Sequence, residues 1–355
     1  MTRPIHRTGR GFALAAGAAL ILIALAATPA FACGGLIGPN GAVNLLQTTT
    51  LAAYHNGQEH YVTAFRFAGG GGAFGSLTPL PGVPSSVEKG GDWTLQRLIN
   101  ETNPPVPAAD RSFAAAAGSA EELMKVRIDA LDITVLRGGS VAVGQWATAH
   151  GFRLPPDAPE VLDFYAARSP IFLAAVFDAN AAAARGQAVG DGTPVHVTIP
   201  TDNPWVPLRI LALGKTATER VDADVYLLTD HAPALLPAPT GDNGLELSHS
   251  APATNSLLDD LRSDRGMGWV PSSGWLTKVA IHATVPQLAF DLAIDASGAG
   301  EPSRVMAGLD LPGATPPAQD HTLENLRIAL GLTLTTGGIG GLLLIVRRRP
   351  PLSMA

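Results

Sequence analysis

Along the chain the polar and apolar positions mostly alternate in twos, and only a few short stretches recur at helical spacing. Segment 44–67 predicts a β-hairpin. Thr48 to Tyr54 is rich in β-formers, Asn56-Gly57 is a strong type I′ turn pair, and from His60 to Phe67 one side carries Tyr61, Thr63, Phe65 and Phe67. A second hairpin is predicted from Val126–Leu136 and Val141–Val143, folded around Gly138-Gly139. The apolar run Ile171–Phe177 is short enough for a buried strand. Further strands are expected at Val195–Ile199, Leu208–Leu213, Val225–Leu228, Trp275–Thr284 and Gln287–Ile294. Three short helices are expected. Asp92 would cap one running through Asn100, with Leu95, Leu98 and Ile99 on one face. Pro159–Ala167 would start with Pro159 in its first turn, and Asn255 would cap a helix over Leu257, Leu258 and Leu261. Gly69–Gly72 and Pro79–Pro84 read as irregular loop, and no internal repeat is present. Many strands and few helices predict an α+β fold, strand-rich and mostly antiparallel.

The two ends depart from this pattern. Arg3, His6, Arg7 and Arg10 precede an uncharged apolar run, Phe12–Ala27, and Thr28-Pro29 breaks it. Ala30-Phe31-Ala32 then supplies small residues at −3 and −1, so residues 1–32 read as a signal peptide cut between Ala32 and Cys33. As a lipobox the site is poor, with Ala30 at −3 and bulky Phe31 at −2, and Cys33 reads as a free thiol. Near the other end, Ile328–Val346 is 19 uncharged residues followed by Arg347-Arg348-Arg349. A helix of that length spans roughly 28 Å, close to a bilayer's hydrocarbon core. The arginines would hold the C-terminus inside. The expected organisation is a signal peptide (1–32), an extracytoplasmic body (33–296), a Gly/Pro/Ala-rich stalk (297–326), a transmembrane helix (327–346) and a cytoplasmic tail (347–355). Leu311-Pro312-Gly313-Ala314-Thr315 resembles a cell-wall sorting signal but departs from it at the scissile Thr-Gly bond.

Charge narrows the partners. The chain is −6 overall, but segment 33–326 keeps 17 of the 24 basic residues and all 30 acidic ones, a net of −13. An acidic body without a basic stripe argues against nucleic acid and anionic lipid heads. The expected partners are the lipid bilayer, through Ile328–Val346, and a cell-envelope protein or glycan. One cysteine excludes an intrachain disulfide framework and a Cys-cluster metal site.

Several blocks carry a resemblance. Cys33-Gly34-Gly35-Leu36-Ile37, Thr48–Leu51, His60–Thr63, Phe74–Pro84, Gly90–Leu98 and Asp202–Ile210 resemble the bacterial family called domain of unknown function 2330. The resemblance implies an exported bacterial protein. It brings no activity, so no catalytic residue is carried over.

The search for chemistry yields little. Gly70-Gly71-Gly72-Ala73-Phe74-Gly75 matches G-x-G-x-x-G, but Ser76-Leu77-Thr78-Pro79-Leu80-Pro81 cannot open the helix that a dinucleotide site needs. His55 and His60, with Glu59 beside them, could offer two metal ligands across the Asn-Gly turn; solvated or strand-edge histidines are the plainer reading. No metal or cofactor is expected. Asp222 and Asp224 share a strand face, with Asp230-His231 beyond, but nothing fixes a third partner. Trp205, Trp269 and Trp275 lie among Pro, Gly and Ser and are the candidate ligand-contact residues, because a ring offers a flat apolar face to a glycan or peptide. For Asp92-Trp93 a helix cap beside a core tryptophan is preferred. A binding or scaffold module of the envelope is therefore expected, with no catalytic residue assigned. The alternative is an extracytoplasmic hydrolase using Asp and His groups. Convergence of Asp222, Asp224, Asp230 and a histidine in one cleft would favour the enzyme.

Overall fold

The computed structural model describes residues 35–39, 41–42, 47–64, 74–103, 122–177, 193–297 and 300–312. Both expected membrane-associated segments, and the cleavage site at Ala32 and Cys33, lie outside them. Among the described residues no helix is long and apolar enough to cross a membrane.

The fold is α+β, strand-rich and mostly antiparallel. Sixteen strands are described, β1 (Gly35–Gly38), β2 (Gly41–Ala42), β3 (Gln47–His55), β4 (Gln58–Ala64), β5 (Gly75–Leu80), β6 (Ser86–Lys89), β7 (Glu122–Ile128), β8 (Leu131–Arg137), β9 (Ile171–Phe177), β10 (Pro194–Pro200), β11 (Trp205–Val206), β12 (Arg220–Thr229), β13 (Ala234–Leu236), β14 (Leu245–Pro252), β15 (Trp275–Thr284) and β16 (Leu292–Asp295). Four helices accompany them, α1 (Thr94–Thr102), α2 (Ser140–Ala149), α3 (Ala158–Ala166) and α4 (Asn255–Ser263). The strands form a six-stranded sheet ordered β2-β1-β5-β9-β8-β7, a seven-stranded sheet ordered β14-β15-β12-β3-β4-β10-β6, and a small sheet β11-β16-β13. Only β3 with β12 is parallel among the described pairings.

Register sorts the side chains of the large sheet. Ala52, Tyr61, Val197, Val225 and Val279 join the six-stranded sheet, α2 and α3 in the larger core. Leu51, Ala53, Val62, Tyr226 and Leu276 alternate with them and pack under α1 and α4 in a second core. β9 is buried at every position, which accounts for its unbroken apolar run. Close packing shapes β5: a Cβ on Gly75 would come within 2.9 Å of Phe152 and 3.2 Å of Trp146.

Four local expectations are corrected. The second hairpin turns at Asp129-Ala130, with Asp129 at φ 52°, and Val141–Val143 lies in α2 rather than in a strand. Leu208–Leu213 holds a 3₁₀ turn, Arg209–Ala212, because its backbone donors are drawn aside: Leu208 and Arg209 N–H bond the Asp291 carboxylate and Ile210 N–H bonds the Tyr165 hydroxyl. Pro79, expected in a loop, sits in β5 opposite Phe172. It lies past the end of β1, whose pairing with β5 stops at Leu77, so that neighbour never calls on the missing N–H. The body also runs beyond the expected stalk boundary. Ala307 is fully buried, its carbonyl accepts from Asp291 N–H at 3.0 Å, and the compact unit extends through Pro312.

Candidate functional site

The Asn56-Gly57 turn has φ of 51° and 73°, both left-handed as a type I′ turn requires. It sets Ala53 opposite His60 and His55 opposite Gln58, so His55 and His60 share one face of the sheet. Glu59 points to the other face and is fully buried, so it does not stand beside His55 and His60 as a further ligand. Across β4, β10 places His196 opposite Val62, one diagonal step from His60. Their ring nitrogens, His60 Nδ1 and His196 Nε2, are 3.0 Å apart. Trp269, from the loop after α4, lies parallel to His60, with centroids 4.0 Å apart and planes 4° apart, and 5.1 Å from His196.

The rings form a neutral stack. Burial pushes both imidazoles down to about 4, His55 adding to the shift at His60 and His60 to that at His196. At neutral pH, therefore, one ring donates an N–H and the other accepts. His196 Nδ1 and Trp269 Nε1 are buried without a partner.

Asp264 anchors the loop that carries Trp269. Its carboxylate accepts from Asp92 N–H at 3.1 Å, Trp93 N–H at 3.0 Å and the Thr94 hydroxyl at 2.8 Å. Asp264, not Asp92, thus serves the start of α1, and Asp92 instead pairs with Lys89 and Arg265. Trp93 is 40% exposed rather than in the core. Gly91 admits the carboxylate, since a Cβ there would lie 2.3 Å from Asp264 Oδ2. At α4 the cap is Thr254, whose hydroxyl accepts from Leu257 N–H, one residue before the expected Asn255.

The three singled-out tryptophans take different places. Trp205 is fully buried in the larger core, stacked on Tyr165 at 5.8 Å with the Arg168 guanidinium 5.1 Å from its ring, so it offers no face to solvent. Trp269 packs against the second core, on the other face of the large sheet. Trp275 opens β15, half-buried, and its Nε1–H donates to Ser250 Oγ at 2.9 Å.

The carboxylates do not converge. Asp222 bonds His282 at 2.7 Å, Asp224 pairs with buried Lys278 at 3.1 Å, and Asp230 bonds His55 at 2.6 Å. Eight residues of extended chain put roughly 26 Å between Asp222 and Asp230. Among the described residues no three His, Cys, Asp or Glu side chains could hold a metal ion together. A cleft of about 560 Å³ opens elsewhere, lined by Asp157, Glu160, Val161, Arg209, Lys215 and Leu288 among others.

Sequence reasoning reached His55, His60 and Trp269 through the turn and the Gly/Ser-rich loop. It missed His196 and Asp264, whose partners lie 136 and about 170 residues away.

No curated protein matches the chain. Solved structures that resemble it include a mutated baculovirus P35 after caspase cleavage, with 7% identity over 72% of this chain and 98% of that one, at a TM-score of 0.36. Baculovirus P35 itself has 11% identity over 72% and 92%, at 0.35, and the caspase-8/P35 complex has 9% over 70% and 90%, at 0.33. Likeness at these scores carries no argument about fold or function. The sequence pattern of DUF2330, described as an uncharacterised protein conserved in bacteria, matches residues 27–243, more than half of the chain, and the chain belongs to that family.

Proposed function

We propose that the chain is an exported, single-pass membrane protein whose body acts as a binding or scaffold module of the bacterial cell envelope. One observation carries the choice of a binder over an enzyme: Asp222, Asp224 and Asp230 are spread along the large sheet and each is bonded to its own separate partner, His282, Lys278 and His55 respectively. General acid–base or metal-assisted hydrolysis needs such groups aimed at one reacting centre. The apolar run Ile328–Val346 and the arginines after it support the tether, with the body outside and Arg347–Ala355 inside. The leader is removed after Ala32, and Cys33 stays unlipidated. The partner is an envelope protein or a glycan.

Protease added to intact wall-stripped cells tests the topology. It should digest residues 33–326 and spare the Arg347–Ala355 tail; a full-length, protected body would contradict the proposal. Deleting Leu326–Ala355 should release the body into the medium. Capture after crosslinking in intact envelopes should bring down a discrete protein or glycan.

A further inference from the structure

The end of α1 meets the large sheet through a small polar cluster. Asn103 caps the helix, its N–H donating to the Ile99 carbonyl at 2.8 Å, and Thr102 Oγ1 lies 3.1 Å from the Tyr226 hydroxyl. Register sets Tyr226 of β12 opposite Lys278 of β15, with Asp224 one diagonal step from Lys278 on the same face. Lys278 is 5% exposed and Asp224 7%, and Lys278 Nζ lies 3.1 Å from Asp224 Oδ1. The Tyr226 ring, its centre 5.7 Å from Nζ, gives the pair an apolar wall.

The Asn103 side chain also touches Nζ. With its amide nitrogen turned to the Thr102 carbonyl at 3.0 Å, the amide oxygen accepts from Nζ at 3.3 Å; in the opposite orientation that oxygen lies 3.4 Å away. Nζ thus faces both ends of the amide equally. Standard amide geometry then sets Cγ about 3–4 Å from Nζ, close to the distance from which a nucleophile attacks. A buried ammonium flanked by a carboxylate and a carboxamide holds the parts of an amide exchange.

We propose that Lys278 and Asn103 become joined by an isopeptide bond that the folded chain makes itself, with Asp224 carrying the protons. Asp224 takes a proton from the ammonium and frees its lone pair, which forms the Nζ–Cγ bond. Burial lowers the cost of that transfer, because it discharges both groups at once. Asp224 then moves a proton from Nζ to Nδ2. The Cγ–Nδ2 bond breaks with its electron pair on nitrogen, and ammonia leaves past Asn103, which is exposed, taking up the proton that Asp224 still holds. One ammonium and one carboxamide give one secondary amide and one ammonium ion, so no oxidant, reductant or co-reactant is needed. The bond staples the end of α1 to β15, between residues 175 apart in sequence. It needs no partner and stands apart from the binding-module reading.

Pro104 keeps the test specific. It lacks the N–H through which an asparagine loses ammonia to its own backbone, so loss of ammonia at Asn103 reports the bond to Lys278. Intact mass spectrometry of the full-length protein, purified in detergent, should find it about 17 Da, one ammonia, below the mass of its processed sequence. A tryptic digest should yield a branched peptide joining residues 98–111 to residues 266–304, uncut at Lys278. Lys278→Arg and Asn103→Ala should each abolish the branch and restore the full mass, and Asp224→Asn should keep most of the chain at full mass. The wild-type mass and its branched peptide decide even where a variant fails to fold. A wild-type protein at full sequence mass, a mass loss that survives Lys278→Arg in full, or a branch ending on Asp224 would overturn the proposal. Complete bond formation in Asp224→Asn would overturn the part given to that residue.

Discussion

Two carboxylates of this protein, Asp291 and Glu59, are fully buried, and their surroundings are opposite. Asp291 accepts from the Tyr165 hydroxyl at 2.8 Å, Leu208 N–H at 2.7 Å, Arg209 N–H at 3.0 Å and the Arg168 guanidinium at 2.6 Å. Burial pushes its pKa up, and Arg168, the Arg209 amide and Tyr165 pull against that. Arg168 also reaches the Met306 carbonyl, so the group ties the end of α3 to the 3₁₀ turn at Arg209 and to the last described turn of the body. Glu59 has no hydrogen-bond partner on either oxygen, and only the nearby Trp205 backbone N–H favours its charged form. Its pKa is pushed up to about 8 by burial, so at neutral pH it is mostly the neutral acid. Depth is the same in both; the donors decide whether a buried carboxyl is a charged clamp or a stored proton.

Removing each group separates the two cases. Asp291→Ala should cost about 3–5 kcal/mol in urea unfolding, because it strands the buried Arg168 guanidinium and three further donors. A cost below about 1 kcal/mol would erase the contrast.

Glu59 should reveal itself through pH. The native state keeps a proton that the unfolded chain releases near the ordinary glutamate pKa. Stability therefore falls as pH rises from about 4.5 towards 8, at up to about 1.4 kcal/mol per unit. Between pH 6 and 8 the loss is about 2 kcal/mol, and Glu59→Gln should remove that slope while leaving the Asp291 clamp unaffected.

A third buried carboxylate, Asp264, extends the comparison. Asp264→Ala should cost about 1–2 kcal/mol through the start of α1. Asp92→Ala, next to it in space, should change stability by less than about 0.5 kcal/mol, because its pairs with Lys89 and Arg265 are exposed. Equal costs would return the cap to Asp92.

The same contrast explains what could be read from sequence. The first hairpin was legible because Asn56-Gly57 carries its own geometry, and Trp275–Thr284 and Ile171–Phe177 because burial pattern and element coincide. The second hairpin was misplaced because Gly138-Gly139 looks like a turn. Instead it leads into α2, whose first residue, Ser140, donates its N–H to Asp163. Leu208–Leu213 reads as a strand because its apolar run says nothing of a carboxylate 82 and 83 residues on that claims its N–H groups. In the site, His55 and His60 followed from one turn. His196 and Asp264 depend on strand order and on a contact between distant loops, which no local pattern encodes.

Whether donors rather than depth set the charge of a buried group is read most directly at Glu59. Carboxyl-carbon NMR of the full chain with ¹³C-labelled glutamate, assigned through Glu59→Gln, follows its titration. A midpoint near pH 8 is expected while the protein remains folded. A midpoint in the ordinary glutamate range, near 4.5, would contradict it, because it would mean that Glu59 finds donors or water that the folded core withholds.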